Sequence, residues 1–257
     1  MSFDLESYLN RVSYRGDRAP TAKTLADLHL AHATHIPFEN ADILLGRPIR
    51  LDQEGLQAKL VNARRGGYCF EHNLLFAAVL EELGFRVTRL AARVRSQATR
   101  LLPRTHMLLR VEADDRLWLA DVGFGGGGLL QPIPLEPGQV FRQFAWTYRV
   151  MRESDLWVLQ SLQGQEWKDL YAFTLEPQEV ADYEMASFYV STHPQSPFVQ
   201  RLTVQLATPE GHFILRNRDL VIDRGNSMTQ RTIADEELLH VLAKQFGLEF
   251  PPETRFP

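Results

Sequence analysis

The sequence has one cysteine, at position 69, so no disulfide can form within the chain, and a lone thiol suits a reducing compartment. It has no long apolar run: no stretch approaches the roughly 20 residues that cross a bilayer. The opening residues, Met1-Ser2-Phe3-Asp4-Leu5-Glu6, lack the basic start and apolar segment of an export signal. Excess positive charge is also missing. With 28 Lys and Arg against 32 Asp and Glu, the net charge of −4 provides no general field for nucleic acid or anionic lipid, and an anionic substrate must be met locally. No Gly-Lys-Ser/Thr is present, which excludes the phosphate loop of nucleotide hydrolases. Gly123, Gly125 and Gly128 satisfy G-x-G-x-x-G literally, but Pro132 and Pro134 follow with no helical pattern, which excludes a dinucleotide fold. There is no repeat and no low-complexity segment. These absences describe a soluble, cytoplasmic protein with no nucleic-acid or membrane partner.

What is present is an ordinary globular composition, 44% hydrophobic and 23% charged over 257 residues, enough for a full core and more than one compact unit. Leu5, Tyr8, Leu9 and Val12 recur at helical spacing, as do Leu25, Leu28 and His32 after Pro20-Thr21. A third helix is expected around Leu56, Leu60 and Val61. A fourth opens at Cys69 and runs to Gly84, a suitable C-terminal cap. From Phe85 the period becomes that of strands, over 85–95, 105–111, 116–122, 144–151, 155–163 and 166–174, as in an antiparallel barrel or sandwich. A helical connector from Glu176-Pro177 leads to strands near 199–207, 211–217 and 219–224 and a helix from about Asp235 to Phe246, capped by Gly247. The chain therefore divides at 1–84, 85–190 and 191–257. His29, His32 and His35 share helical spacing, but no carboxylate or cysteine completes a metal-ligand set, and no metal is expected.

The stretch Arg64-Arg65-Gly66-Gly67-Tyr68-Cys69-Phe70-Glu71-His72-Asn73 concentrates the chemistry. Gly66-Gly67 is a turn, and Phe70, Leu74, Ala77 and Ala78 then mark one helical face, so Cys69 opens a helix. Unpaired N–H groups and the positive end of the macrodipole there favour a thiolate, and Arg64 and Arg65 add positive charge nearby. The bland alternative is an inert buried thiol.

A cysteine nucleophile needs a base, and the base needs a third group to fix its tautomer. If the strands around 105–122 turn at Ala113-Asp114, opposed residues have numbers summing to 227, which sets His106 against Asp121. Opposed Cβ atoms lie about 5 Å apart, within reach of an imidazole–carboxylate hydrogen bond. Asp121 sits in an otherwise apolar strand, and a buried carboxylate needs a partner. His72 is a second candidate base, and His193 lines the site without taking part. The run Gly123, Gly125, Gly126 leaves room for a long, thin substrate arm.

The segment Arg64–Asn73 resembles the cysteine motif of the arylamine N-acetyltransferases. The resemblance extends to Ile36-Pro37-Phe38-Glu39-Asn40, Arg104-Thr105-His106-Met107, Asp121-Val122-Gly123-Phe124-Gly125 and Ser191-Thr192-His193-Pro194, five motifs in family order; His72 departs from the Gln that many members carry. It implies an α+β fold: an N-terminal helical bundle, an antiparallel β-barrel and a C-terminal α/β lid around a Cys-His-Asp core like that of cysteine proteases and transglutaminases. It implies a Cys69–His106–Asp121 triad, acetyl-CoA as cosubstrate with no tightly bound cofactor, and ping-pong transfer of acetyl to an arylamine, hydrazine or arylhydroxylamine. By the same resemblance Phe38, Tyr68 and Phe124 meet the acceptor, and Thr105, Gly125, Gly126, Thr208 and Phe213 meet CoA. Two other functions fit the same residues, a thiol hydrolase or transglutaminase-like acyl transferase and a non-catalytic binding protein.

Overall fold

The computed structural model describes residues 3–96 and 98–256. Asp4 opens α1 (Leu5–Arg11) by accepting the Ser7 N–H, and Thr21 opens α2 (Ala22–His35) by accepting the Thr24 N–H, which satisfies amides that the helices leave unpaired. α2 leads into β1 (Phe38–Glu39) and the single turn α3 (Ala41–Leu44). The helix expected around Leu56 is α4 (Gln53–Leu56), which widens into a π-helical turn over Gln57–Asn62. α5 (Cys69–Glu82) is a central helix buried on nearly every side: Leu75, Phe76, Ala77 and Val79 are completely shielded, and Glu71, His72 and Asn73 are buried with them.

Eight strands follow: β2 (Arg86–Val94), β3 (His106–Ala113), β4 (Arg116–Ala120), β5 (Ile133–Pro134), β6 (Val140–Gln143), β7 (Trp146–Glu153), β8 (Leu156–Gln163) and β9 (Glu166–Phe173). They form one antiparallel sheet in the order β5-β4-β3-β2-β9-β8-β7-β6, curled into a nearly closed barrel. β3 is buried at every position but Arg110 and Glu112, because both its faces are covered. Met107, Leu109 and Val111 pack into the cluster around α5, while Leu108 packs into the barrel with Leu119, Tyr148 and Tyr171.

After α6 (Val180–Thr192) and α7 (Pro197–Gln200) come β10 (Thr203–Thr208), β11 (Gly211–Arg216), β12 (Asp219–Asp223) and β13 (Met228–Thr232). These pair in the order β1-β10-β11-β12-β13, so the N-terminal strand β1 forms the edge of the C-terminal sheet. One face of that sheet buries Leu202, Val204 and Leu215 against Val241, Leu242 and Phe246 of α8 (Leu238–Phe246), which a 3₁₀ turn at Asp235–Glu237 precedes. The architecture is α+β, with helical, barrel and α/β layers.

The register of the β3–β4 hairpin differs from expectation. The turn is Asp114-Asp115, both residues at positive φ, and the pairs from Ala113–Arg116 to Leu109–Ala120 have numbers summing to 229 rather than 227. His106 and Asp121 are therefore not directly opposed. A displacement of two keeps both side chains on one face as diagonal neighbours, within reach of longer side chains. β1, β5, β6 and β13 were not expected either. A two-residue strand has no period to read, and β13 is exposed along its whole length.

Candidate active site

Cys69 is the first residue of α5, 5% exposed, with Sγ 3.6 Å from the Thr105 carbonyl oxygen. Two close approaches hold it there. A Cβ on Gly66 would lie 2.0 Å from the Pro37 carbonyl oxygen, and one on Gly123 would lie 2.9 Å from the Cys69 Cα. At each approach the two backbones can close up only because the glycine has no side chain. Glu71 reaches back to accept the Tyr68 N–H at 3.1 Å, and this fixes the start of the helix.

Arg64 and Arg65 do not serve as expected. Arg64 is exposed, whereas Arg65 is buried and donates to Glu39 at 2.6 Å and to Asp42 at 3.2 Å. Lys59 bridges Asp42 at 2.9 Å and Glu71 at 2.7 Å. Two cations among three carboxylates leave no positive excess for the thiol; the network orders the loop instead. Burial raises the Glu71 carboxyl to about 7 against the opposing pull of Lys59.

His106, 3% exposed, bonds through Nε2 to Asp121 Oδ2 at 2.7 Å. Burial alone would lower the imidazole pKa, but the Asp121 charge and hydrogen bond, and then Cys69, raise it to about 10. Since Nε2 is occupied by the carboxylate, Nδ1 is the nitrogen left for the thiol. Burial likewise raises the Asp121 carboxyl, and His106, Asn73 and Gly123 outweigh it, so the carboxyl titrates below its ordinary value. The other carboxylate oxygen, Oδ1, accepts from Asn73 Nδ2 and from the Gly123 N–H, both at 3.0 Å. The structure thus brings Cys69, His106 and Asp121 together from α5, β3 and the end of β4.

Phe38 and Phe124 line a narrow cavity with Ile36, Asp121, Gly125 and Gln205, whose free interior is about 20 Å³, or about 300 Å³ counting space open to solvent. The Phe124 ring meets His106 edge-on, with centroids 5.1 Å apart. Tyr68 is not in that cavity; it is fully buried, hydrogen-bonded to Ser187 and packed edge-on against Phe70 and Phe198. Gly126 donates its N–H to Gln205, next to Gly125. Thr208 and Phe213 lie on the α8 side of their sheet, opposite the face that carries Gln205 and Ala207 to the cavity, so neither lines it. His193 stacks on Tyr189 at 4.6 Å and touches no member of the triad.

His72 is fully enclosed, 1% exposed, with both nitrogens engaged, and burial lowers its pKa to about 4. It cannot reach out as a base. Asn73, His29, Tyr171 and Gln205 were missed. Asn73 follows Cys69 by four residues, one helical turn, a spacing that would have placed it beside the thiol. The Tyr171 ring lies tilted against that of His106, with centroids 4.9 Å apart, and carries no local sequence signal. Among the described residues no group of three or more His, Cys, Asp or Glu could hold a metal ion.

The family model described as N-acetyltransferase matches residues 21–254. The arylamine N-acetyltransferase of Mycolicibacterium smegmatis is 44% identical, over 97% of this chain and 93% of that protein. The chain belongs to the arylamine N-acetyltransferase family. The solved structure of the Mycobacterium tuberculosis arylamine N-acetyltransferase superposes with a TM-score of 0.92 at 42% identity, covering 95% of this chain and 93% of that one. That of Mycobacterium marinum, solved in complex with CoA, gives 0.91 at 39% identity, covering 95% and 92%.

Proposed function

We propose that this member of the family is an acetyl-CoA:arylamine N-acetyltransferase that works by a ping-pong route. The observation that carries the reading is the buried His106–Asp121 pair beside the only cysteine. The Cys69 thiolate attacks the acetyl carbonyl, the C–S bond to CoA breaks, and the imidazolium of His106 protonates the leaving CoA sulfur. An arylamine, hydrazine or arylhydroxylamine then attacks the thioester, His106 takes the proton it sheds, and the Cys69 thiolate leaves. Asp121 holds the imidazole in the tautomer that both halves need. An arylamine nitrogen is largely unprotonated at neutral pH, and the flat faces of Phe38 and Phe124 suit its ring.

In the same reading Thr105, Gly125 and Gly126 line the path of the pantetheine arm, and Thr208 and Phe213 meet CoA farther out. The units are a helical bundle (1–84) with the nucleophile, a barrel (85–190) with the base and its carboxylate, and a lid (191–257). No helix among the described residues is long and apolar enough to cross a membrane. The reduced lone thiol suits the cytoplasm. Mass spectrometry after incubation with acetyl-CoA alone tests the reading: a single acetyl group on Cys69 is expected, and its absence would refute the route. Initial-rate plots against acetyl-CoA at several arylamine concentrations should be parallel. Intersecting lines would mean a ternary complex.

A further inference from the structure

Two buried histidines of α2, His29 and His32, have no part in the proton transfers above, yet each is fully shielded and fully hydrogen-bonded. His29 Nδ1 lies 3.0 Å from the Leu130 carbonyl oxygen, a pure acceptor, so Nδ1 carries the proton; Nε2 accepts the Asp121 N–H at 3.1 Å. One imidazole therefore closes both ends of the glycine-rich segment from Asp121 to Leu130, the segment that carries Phe124.

His32 works on the other side. His72 Nε2 donates to the Pro37 carbonyl at 3.2 Å, which leaves His72 Nδ1 to accept from His32 Nε2 at 2.9 Å, and His32 Nδ1 to accept from the Tyr8 hydroxyl at 2.9 Å. Every proton in this chain has a direction. It starts at a completely buried tyrosine and ends on a carbonyl oxygen, so it conducts no proton. What it does is hold Pro37, and with it Phe38, whose ring lies parallel to His72 at 9° with centroids 6.3 Å apart.

Phe38 and Phe124 are two walls of one cavity, and Ala33 and Ile36, at the C-terminal end of α2, also line it. We propose that α2 sets the width of the acceptor pocket, with His29 as the positioning residue of the Phe124 wall and His32, acting through His72, as that of the Phe38 wall. The proposal rests on the reading that this cavity receives the aromatic amine. It assigns the histidine spacing of α2 to specificity for ring size and not to a metal.

The test separates the two half-reactions. Acetylation of Cys69 by acetyl-CoA and discharge of the acetyl-enzyme by aniline or by aminonaphthalene are timed in the wild type, His72→Leu, His72→Gln and His29→Phe. Loss of one buried hydrogen-bond link should raise the half-saturating amine concentration in His72→Leu about tenfold while acetylation stays within about threefold. His72→Gln, whose amide can both donate to Pro37 and accept from His32, should restore amine saturation to within about threefold. His29→Phe should slow both steps, because Asp121 loses its backbone partner, and should narrow the preference between the two ring sizes. If folded His72→Leu saturates normally with amine, or if both half-reactions fall equally in it, the proposal is overturned. Should His72→Leu not fold, Tyr8→Phe removes one hydroxyl at the far end of the chain. It should weaken amine saturation about threefold, and an unchanged value would be equally fatal. Wild-type protein that takes no acetyl group from acetyl-CoA would instead refute the underlying function.

Discussion

Replacing Asp121 by Asn changes one atom and tests the site's proton logic most sharply. Oδ1 of Asp121 faces two donors, Asn73 Nδ2 and the Gly123 N–H, each at 3.0 Å. In the variant the amide oxygen must stay at that position, because an NH₂ there would meet two donors head-on. The NH₂ is thereby forced toward His106, where the carboxylate oxygen had been at 2.7 Å. His106 Nε2 must then accept, so the single proton of the neutral ring moves to Nδ1, the nitrogen that has to receive the thiol proton. The charge that helped raise the imidazole to about 10 from 6.5 is lost as well, and the whole rise is worth roughly 5 kcal/mol. The corresponding change in a serine triad lowers turnover by about 10⁴-fold, the same scale. Single-turnover acetylation of Cys69 at pH 7, followed by mass spectrometry, should slow by three to four decades, on the order of 10³–10⁴. A rate within about tenfold of wild type would show that Asp121 is structural and that the tautomer argument is wrong.

Cys69→Ser should abolish turnover, since a serine alkoxide is far harder to form, and should shift Tm by no more than about 5 °C. Retained turnover in the purified variant would remove the nucleophile. Gly66→Ala places a methyl 2.0 Å from the Pro37 carbonyl oxygen and should cost about 2–3 kcal/mol in urea unfolding; a neutral result would mean the cysteine loop yields freely. Acid should destabilise the fold through His29 and His72, both lowered by burial from 6.5 to about 4. Their contribution is present above the unfolded value near 6.5 and is lost as pH falls toward 4, at most ~3 kcal/mol each. His106 has the opposite sign: its contribution is present below 6.5 and is lost as pH rises toward about 10. Glu71, raised by burial from 4.5 to about 7, opposes them over the same window, and His212, lowered by burial to about 4, reinforces them, so urea midpoints should fall from pH 7 to pH 5, and a midpoint higher at pH 5 than at pH 7 would contradict the assignment.

The start of α5 at Cys69 was legible because a glycine pair and a helical apolar face meet there. The stops at Gly84 and Gly247 could be read for the same kind of reason. Strand positions from β2 to β12 followed from period, apart from the short β5 and β6. The hairpin register did not, because Asp114-Asp115 adopts a left-handed two-residue turn that shifts every pair by two in the sum. His106 and Asp121 still meet, since that error preserves the face. Sequence placed two arginines beside the thiol but could not show that Glu39 and Asp42 from one segment and Glu71 from another converge on Arg65 and Lys59. The partners of His29 and Tyr171 were equally hidden. Each depends on contacts across 50 or more residues, which no local pattern encodes.

The lone thiol also makes this molecule a reporter of its own unfolding. Cys69 is 5% exposed, and what covers it comes from far along the chain: the Thr105 carbonyl and the backbone of Gly123. A thiol reagent too bulky for the cleft can label the protein only when those segments part, and it can label only one atom. Labelling rates in mild urea then measure how often α5 comes away from the barrel, residue-specifically and without an added probe. Acetyl-CoA, by capping the same sulfur, would silence the signal in proportion to the fraction of molecules whose catalytic centre is assembled.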